Sequence, residues 1–218
     1  MHTWFSKDCV TPPEALVRRA LKVGLTCIAV TDHDTVKGGL AVQKLAPPEL
    51  KVIVAEEVKT PYGEITGFFL TETIPPGLEP LEVCKRIKGQ GGLVSIPHPF
   101  DRVRHYEMTP ELFSSIEEYV DIVEVFNART TFRSDAERGL KFAQEHHVLL
   151  GAGSDAHCTW ELGHVAIEMA EFEGVEGFKR SLAAAKITGR SSTPLVHAVS
   201  KTNKWRKKYL PFTWKKPV

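Results

Sequence analysis

Four histidines and four carboxylates occupy places where this chain changes direction. His2 and Asp8 open it, and His33 follows Thr31-Asp32. Glu57 and Glu64 flank Pro61-Tyr62-Gly63, and His98 sits between two prolines. Asp155 and His157 end the run Gly153-Ser154-Asp155-Ala156-His157. Neutral imidazoles and ionised carboxylates together bind borderline divalent metals such as zinc, manganese or iron. Eight ligands are too many for one tetrahedral ion. They suit two or three ions with shared carboxylates, an arrangement that serves phosphoryl transfer. Asp155 and His157, two residues apart on an extended segment, aim to the same side. Taken singly, a histidine after a strand reads more readily as a capped loop residue, and Asp8 or Glu64 as a surface acid, than as a ligand. Their coincidence favours metal, because strand after strand ends in a metal-competent side chain.

Other residues carry weaker signals. Arg102 and Arg104 follow the His98 loop, and Arg129 follows Asn127. Arginine forks suit phosphate oxygens, so Arg102 and Arg129 are candidate substrate-binding residues, with plain surface arginines as the alternative. Asp32 and Asp34 read as orienters of His33 or as turn residues, the turn reading being the better one for Asp34. Asn127 reads as a residue that reaches the site or as a strand-end turn, the turn being the better reading. His146 and His147 close a helix, where positive charge suits the dipole. Cys9 and Cys158 adjoin candidate ligands and are expected to point away from them.

The elements that must position these residues alternate. Thr11-Pro12-Pro13-Glu14 predicts a capped helix start with Glu14 completing a capping box, and Gly24 a stop. Strands are predicted over 26–31, 51–55, 64–70, 93–96, 121–126, 148–152 and 165–169. Helices are predicted over 80–88, from Thr109-Pro110-Glu111, through Phe142, and over 175–185. Strands alternating with helices imply a mainly parallel sheet. His33, Glu57, His98 and Asp155 then fall at the carboxyl ends of different strands. In a barrel those ends converge on one face, whereas an open sheet feeds its site from two neighbouring strands. No G-x-G-x-x-G or Walker A loop supports a nucleotide-binding sheet. The expected fold is α/β, a barrel.

In order, Met1-His2-Thr3, Ser6-Lys7-Asp8, Thr31-Asp32-His33-Asp34, Glu57, Gly63-Glu64-Ile65, Ile96-Pro97-His98-Pro99-Phe100 and Gly153-Ser154-Asp155-Ala156-His157 resemble the motifs of the PHP (polymerase and histidinol phosphatase) domain family. The nearest subgroup is the small stand-alone metal-dependent phosphoesterases, and the likeness runs over residues 1–190. It implies a distorted (β/α)7 TIM-like barrel with divalent ions (Mn, Zn or Fe). His2, Glu57 and Asp155 would hold the first ion, Glu57, Glu64 and His98 the second, and Asp8, His33 and His157 the third. Glu57, Asp155 and His157 are then the residues assigned to catalysis, through a metal-bridging hydroxide that attacks phosphorus in line. The implied substrates are phosphate esters of nucleotides or oligonucleotide ends. The implied rivals are 5′-to-3′ exonuclease activity on RNA or DNA and a catalytically impaired binding or scaffold protein. The family's first motif is His-x-His-Thr, whereas this chain begins Met1-His2-Thr3. The first strand is therefore expected to be missing or truncated, with an in-frame stretch encoding it upstream of this start.

The 218 residues are 42% hydrophobic and 25% charged, which fits a globular domain and excludes a disordered or fibrous chain. No apolar run reaches the length of a membrane span. The N-terminus lacks a signal-peptide pattern, and four scattered cysteines give no disulfide framework, so a cytoplasmic setting is expected. The net charge of +1 hides an asymmetry. Seven of the 28 basic residues and none of the 27 acidic ones lie from Lys201 onward, leaving the first 200 residues at −6. A division follows into a phosphoesterase domain over 1–200 and a basic tail over 201–218. The tail interleaves its bases with Trp205, Tyr209, Phe212 and Trp214, a pattern that can track a nucleic-acid strand. A partly packed, solvated segment is the alternative.

Overall fold

The computed structural model describes residues 1–104, 108–193 and 195–210; Phe212 and Trp214 lie outside them. A curled six-stranded sheet runs in chain order: β1 (Cys27–His33), β2 (Lys51–Thr60), β3 (Gly63–Phe68), β4 (Leu93–Ile96), β5 (Val120–Asn127) and β6 (Leu149–Gly153). The helices are α1 (Pro13–Lys22), α2 (Lys37–Leu45), α3 (Pro80–Gly89), α4 (Pro110–Ser114), α5 (Arg133–Glu145), α6 (Gly174–Ala183) and α7 (Leu195–Tyr209). A separate hairpin pairs β7 (Val165–Glu168) with β8 (Lys186–Gly189). Among the described residues no helix is long and apolar enough to cross a membrane.

The sheet is less parallel than the sequence suggests. β1–β2, β4–β5 and β5–β6 are parallel, but β3 runs antiparallel to both β2 and β4. The cause is local. Pro61-Tyr62 is a two-residue connection, far too short for a crossover. Tyr62 N donates to Thr60 Oγ1 (3.1 Å), which itself donates to Gly63 O (2.9 Å) and tightens the turn. β2 therefore continues past the expected end at Ala55 and carries Glu57 within its ladder, opposite His33 on one side and Thr66 on the other. The capping box at α1 does not form, because Pro12 is the N-cap and no side chain caps it. Thr109 does cap α4, accepting from Leu112 N at 3.2 Å.

Alternation along the strands sorts the core from the site. Val54, Val94 and Val123 pack with α3 residues Val83, Cys84 and Ile87 on one face. Their neighbours Ile53, Leu93 and Ile122 point the other way and meet Phe172, Phe178 and Leu182. Each such buried aliphatic contributes about 1.5–3 kcal/mol relative to exposure. Two and four residues beyond Ile53 on that second face come Ala55 and Glu57. The sheet face is thus apolar at the amino ends of its strands and acidic towards their carboxyl ends. A further cluster of Leu16, Val17 and Ala20 with Ile28, Val30 and Val42 fixes α1 and α2 to β1.

β1 and β6 are the outer strands of the sheet, and the first residues of the chain reach both sides of the opening between them. Thr31 N donates to Met1 O (2.8 Å) on β1, and His2 N donates to Ala156 O (2.9 Å) just beyond β6. α7 runs across the expected boundary at residue 200, and its Ser200 and Val196 are bonded to Arg129.

Candidate metal centre

All eight side chains singled out in the sequence converge at the carboxyl ends of β1, β2 and β6 and around the β3–β4 rim. Glu57, only 4% exposed, is the hub. Its Oε2 lies 3.0 Å from His33 Nδ1 and 3.7 Å from His2 Nε2, and its Oε1 lies 3.2 Å from His98 Nε2. Glu64 joins on one flank, 3.7 Å from His98 Nε2 and 3.8 Å from His33 Nδ1. Asp8 bridges the other, 3.6 Å from His33 Nε2 and 3.5 Å from His157 Nε2. Asp155 Oδ1 lies 2.9 Å from His2 Nε2. The rings of His33 and His157 both pack on His2, with centroids 4.4 and 4.2 Å away.

The backbone is bent to achieve this. His98 and Asp155 both adopt left-handed conformations, with φ of 30° and 48°. Non-glycine residues are held there only when their surroundings impose it, and such strain concentrates at functional sites. Glu124 supplies part of the constraint by accepting from His98 N and from Asn127 Nδ2, both at 3.0 Å.

Charge is balanced inside the cluster. Burial, reinforced by His157 and His33, drives His2 down to about 3, so its ring is neutral at physiological pH. Burial opposes charge on His33 too, but Glu57 and Asp8 outweigh it and hold His33 well above the usual imidazole value. Glu57 is held well below the carboxylate range, since His33 and His98 overcome its desolvation. Asp155 is likewise held low against burial, chiefly by Arg104. Burial and the neighbouring Glu57 raise Glu64.

The chemistry of the donor set fits divalent ions. Asp8 Oδ1 and Glu57 Oε2 are buried oxygens without a hydrogen-bond partner. His2, His33 and His157 can each offer a ring nitrogen to one point, as can the donors of His33, Glu57 and Glu64. Oxygens that face imidazole nitrogens and accept no hydrogen bond can take a divalent cation as their partner.

A supporting shell holds the donors. Asp32, fully buried, accepts from Thr3 N, Thr3 Oγ1 and Ser6 Oγ, each at 2.6 Å. Ser6 Oγ in turn accepts from His33 N (2.9 Å) and faces His2 Nδ1 (3.1 Å). Asp32 thus organises the His2 loop as well as His33. Gly38 makes room for it, because a Cβ there would sit 1.7 Å from Asp32 Oδ2. Asp34 is a turn residue at φ 57°, accepting from Lys59 N. Cys9, its thiol pushed up to about 12 by burial, has the carbonyls of His2 (3.3 Å) and His157 (3.2 Å) within reach of its single proton.

The arginines divide. Arg102 turns away to pair with Asp135 and Ser134. Arg104 reaches the cluster and bonds Asp155. Arg129 is 4% exposed, with Nε in an ion contact and both Nη groups hydrogen-bonded. Nε lies 3.2 Å from Glu161 Oε1, Nη1 2.7 Å from His157 Nδ1, and Nη2 donates to Val196 O and Ser200 Oγ. It supports His157 from behind. Glu161 completes that support by accepting from His157 N at 3.0 Å. Ser6, Glu124 and Glu161 were not singled out by sequence reasoning. The available signals were a carboxylate inside the apolar strand around Val123 and an acid four residues after His157.

Comparison with known proteins agrees with this architecture. Residues 133–187 match the PHP-associated family. The chain is 34% identical over 176 residues to the uncharacterized protein MJ0417 of Methanocaldococcus jannaschii, covering 78% of this chain and 69% of that protein. Among solved structures, a two-domain protein from Bacteroides vulgatus containing a predicted PHP-like metal-dependent phosphoesterase superposes with a TM-score of 0.70 at 17% identity. That match covers 87% of this chain and 63% of the other. The lesion-specific endonuclease PfuEndoQ from Pyrococcus furiosus superposes with a TM-score of 0.65 at 16% identity, covering 89% of this chain and 58% of that one. The chain belongs to the PHP domain family.

Proposed function

We propose that this protein is a divalent-metal-dependent phosphoesterase acting on phosphate esters of nucleotides or oligonucleotide ends. The observation that carries the reading is Glu57, whose two oxygens are shared among His2, His33 and His98. A carboxylate so placed suits a shared ligand between ions. In this reading His2, Glu57 and Asp155 hold one ion, Glu57, Glu64 and His98 a second, and Asp8, His33 and His157 a third. Manganese, zinc and iron all match the mixed donors. Bound ions would supply an acidified water and neutralise phosphate charge. The chain's own residues do the rest. Neutral His2 presents Nε2, Asp32 and Ser6 orient its ring, and Arg129 with Glu161 fixes His157. Arg104, beside Asp155, places a guanidinium fork where phosphate oxygens can be held.

The curled sheet fits a distorted (β/α)7 barrel, with Met1 and His2 lying across the opening between β1 and β6. Nucleic-acid chemistry in the Pyrococcus furiosus neighbour supports nucleotide-based substrates. The test is a phosphate-release screen of the metal-loaded protein across mononucleotides, nucleoside bisphosphates and oligonucleotides, run beside Glu57→Gln. Release from one class, abolished in the variant, supports the reading. Silence across all classes with ions bound would replace it with a binding or scaffold role.

A further inference from the structure

α7 has two opposed stripes. Val196, Ser200, Asn203 and Lys207 recur at helical spacing and face the body of the protein. Val196 and Asn203 are buried, Ser200 meets Arg129, and the Lys207 ammonium bonds the carbonyls of Trp4 and Ser6 in the loop between His2 and Asp8. Lys201, Lys204, Trp205, Lys208 and Tyr209 recur at i, i+3, i+4, i+7 and i+8, and so lie along the other side of the helix. All five are exposed, Trp205 and Tyr209 by more than half. Their rings lie 5.7 Å apart, and the Lys208 ammonium sits 5.0 Å from the Tyr209 ring centre. α7 contains no acidic residue, while the first 200 residues carry a net −6.

We propose that this outer stripe of α7 is a docking face for single-stranded nucleic acid. Three lysines along one line meet backbone phosphates, and the two aromatic rings beside them offer surfaces on which unpaired bases stack. A duplex hides its base faces and would use only the lysines. An anionic membrane would favour a wide apolar face, whereas here only two rings, Trp205 and Tyr209, form a narrow strip beside the lysines. The face is tied to the metal centre through Lys207 and Ser200, so a strand held on it lies on an element anchored to the ligand loops. The inference rests on the phosphoesterase reading only for its purpose; the binding itself is independent of it.

The experiment measures fluorescence anisotropy of a labelled single-stranded oligonucleotide between 50 and 200 mM salt. It compares the parent, the triple variant Lys201→Gln/Lys204→Gln/Lys208→Gln and Trp205→Ala/Tyr209→Ala, with a duplex and phosphatidylserine vesicles alongside. Helicity and mononucleotide hydrolysis serve as integrity controls. Three phosphate contacts contribute about 2 to the log–log salt slope, or about 20-fold in affinity over that range, and the triple variant should lose this. The aromatic variant should weaken single-strand binding about tenfold or more and leave duplex binding nearly unchanged. Equal affinity and slope in parent and variants would overturn the proposal, as would a loss confined to vesicles. A parent that binds oligonucleotide through α7 but releases no phosphate refutes the phosphoesterase reading alone. Hydrolysis with affinity indifferent to α7 refutes the docking face alone.

Discussion

Ser6 Oγ lies 3.1 Å from His2 Nδ1 while its own proton is spent on Asp32 Oδ1, 2.6 Å away. A hydroxyl whose proton is engaged can only accept, so Nδ1 carries the His2 hydrogen and Nε2 keeps its lone pair towards Asp155 and Glu57. Outer partners of this kind are worth about 10- to 100-fold in metal affinity. Ser6→Ala should weaken metal binding by that order in a calorimetric titration, with little change in ion number at saturation. An unchanged affinity would show that the hydroxyl does not set the tautomer.

Arg129 and Glu161 form a buried pair behind His157. Removing one member of such a pair strands the other charge and costs about 3–5 kcal/mol. Arg129→Met should therefore lower the melting temperature sharply. Arg129→Met with Glu161→Gln should recover part of the loss. A single variant as stable as the parent would remove Arg129 from the supporting role.

Glu56 points away from the ligands into a buried site, where Ile74 N donates to Oε2 and Oε1 has no partner. Burial pushes its carboxyl up to about 7. An acid raised on folding contributes fully below its unfolded value near 4.5 and loses that contribution as pH rises through about 7. Glu56→Gln should therefore be close to the parent near pH 5 and gain on it towards pH 8, by on the order of 2 kcal/mol. Chelated samples melted across this range provide the check. A difference that does not vary with pH would contradict the assignment.

Much of the site was legible because its ligands interrupt the local pattern. His33, His98 and the Asp155-Ala156-His157 run stand where apolar strands stop, and nothing else in those segments calls for imidazoles. Glu57 was harder to place, since the β2–β3 hairpin carries it inside a ladder rather than at a strand end. The antiparallel pairing followed from the brevity of Pro61-Tyr62, a local cue overruled by the general alternation of strands and helices. Arg129 and Arg102 could not be sorted, because a guanidinium's direction depends on Glu161, Asp135 and α7, which are distant in sequence. Ser6 and Glu161 act through other residues, and such roles leave only faint marks in a sequence.

Hydrolysis in this protein requires that the cluster around Glu57 hold divalent ions. The most direct measurement is elemental analysis of purified protein, parent beside Asp155→Ala, joined to phosphate release after chelation and after reconstitution. The parent should carry two or three divalent ions per chain, lose activity with chelation and regain it with metal. Asp155→Ala should lose metal and phosphate release together. Turnover that survives exhaustive chelation, or an Asp155→Ala protein with unchanged metal content and rate, would contradict the account.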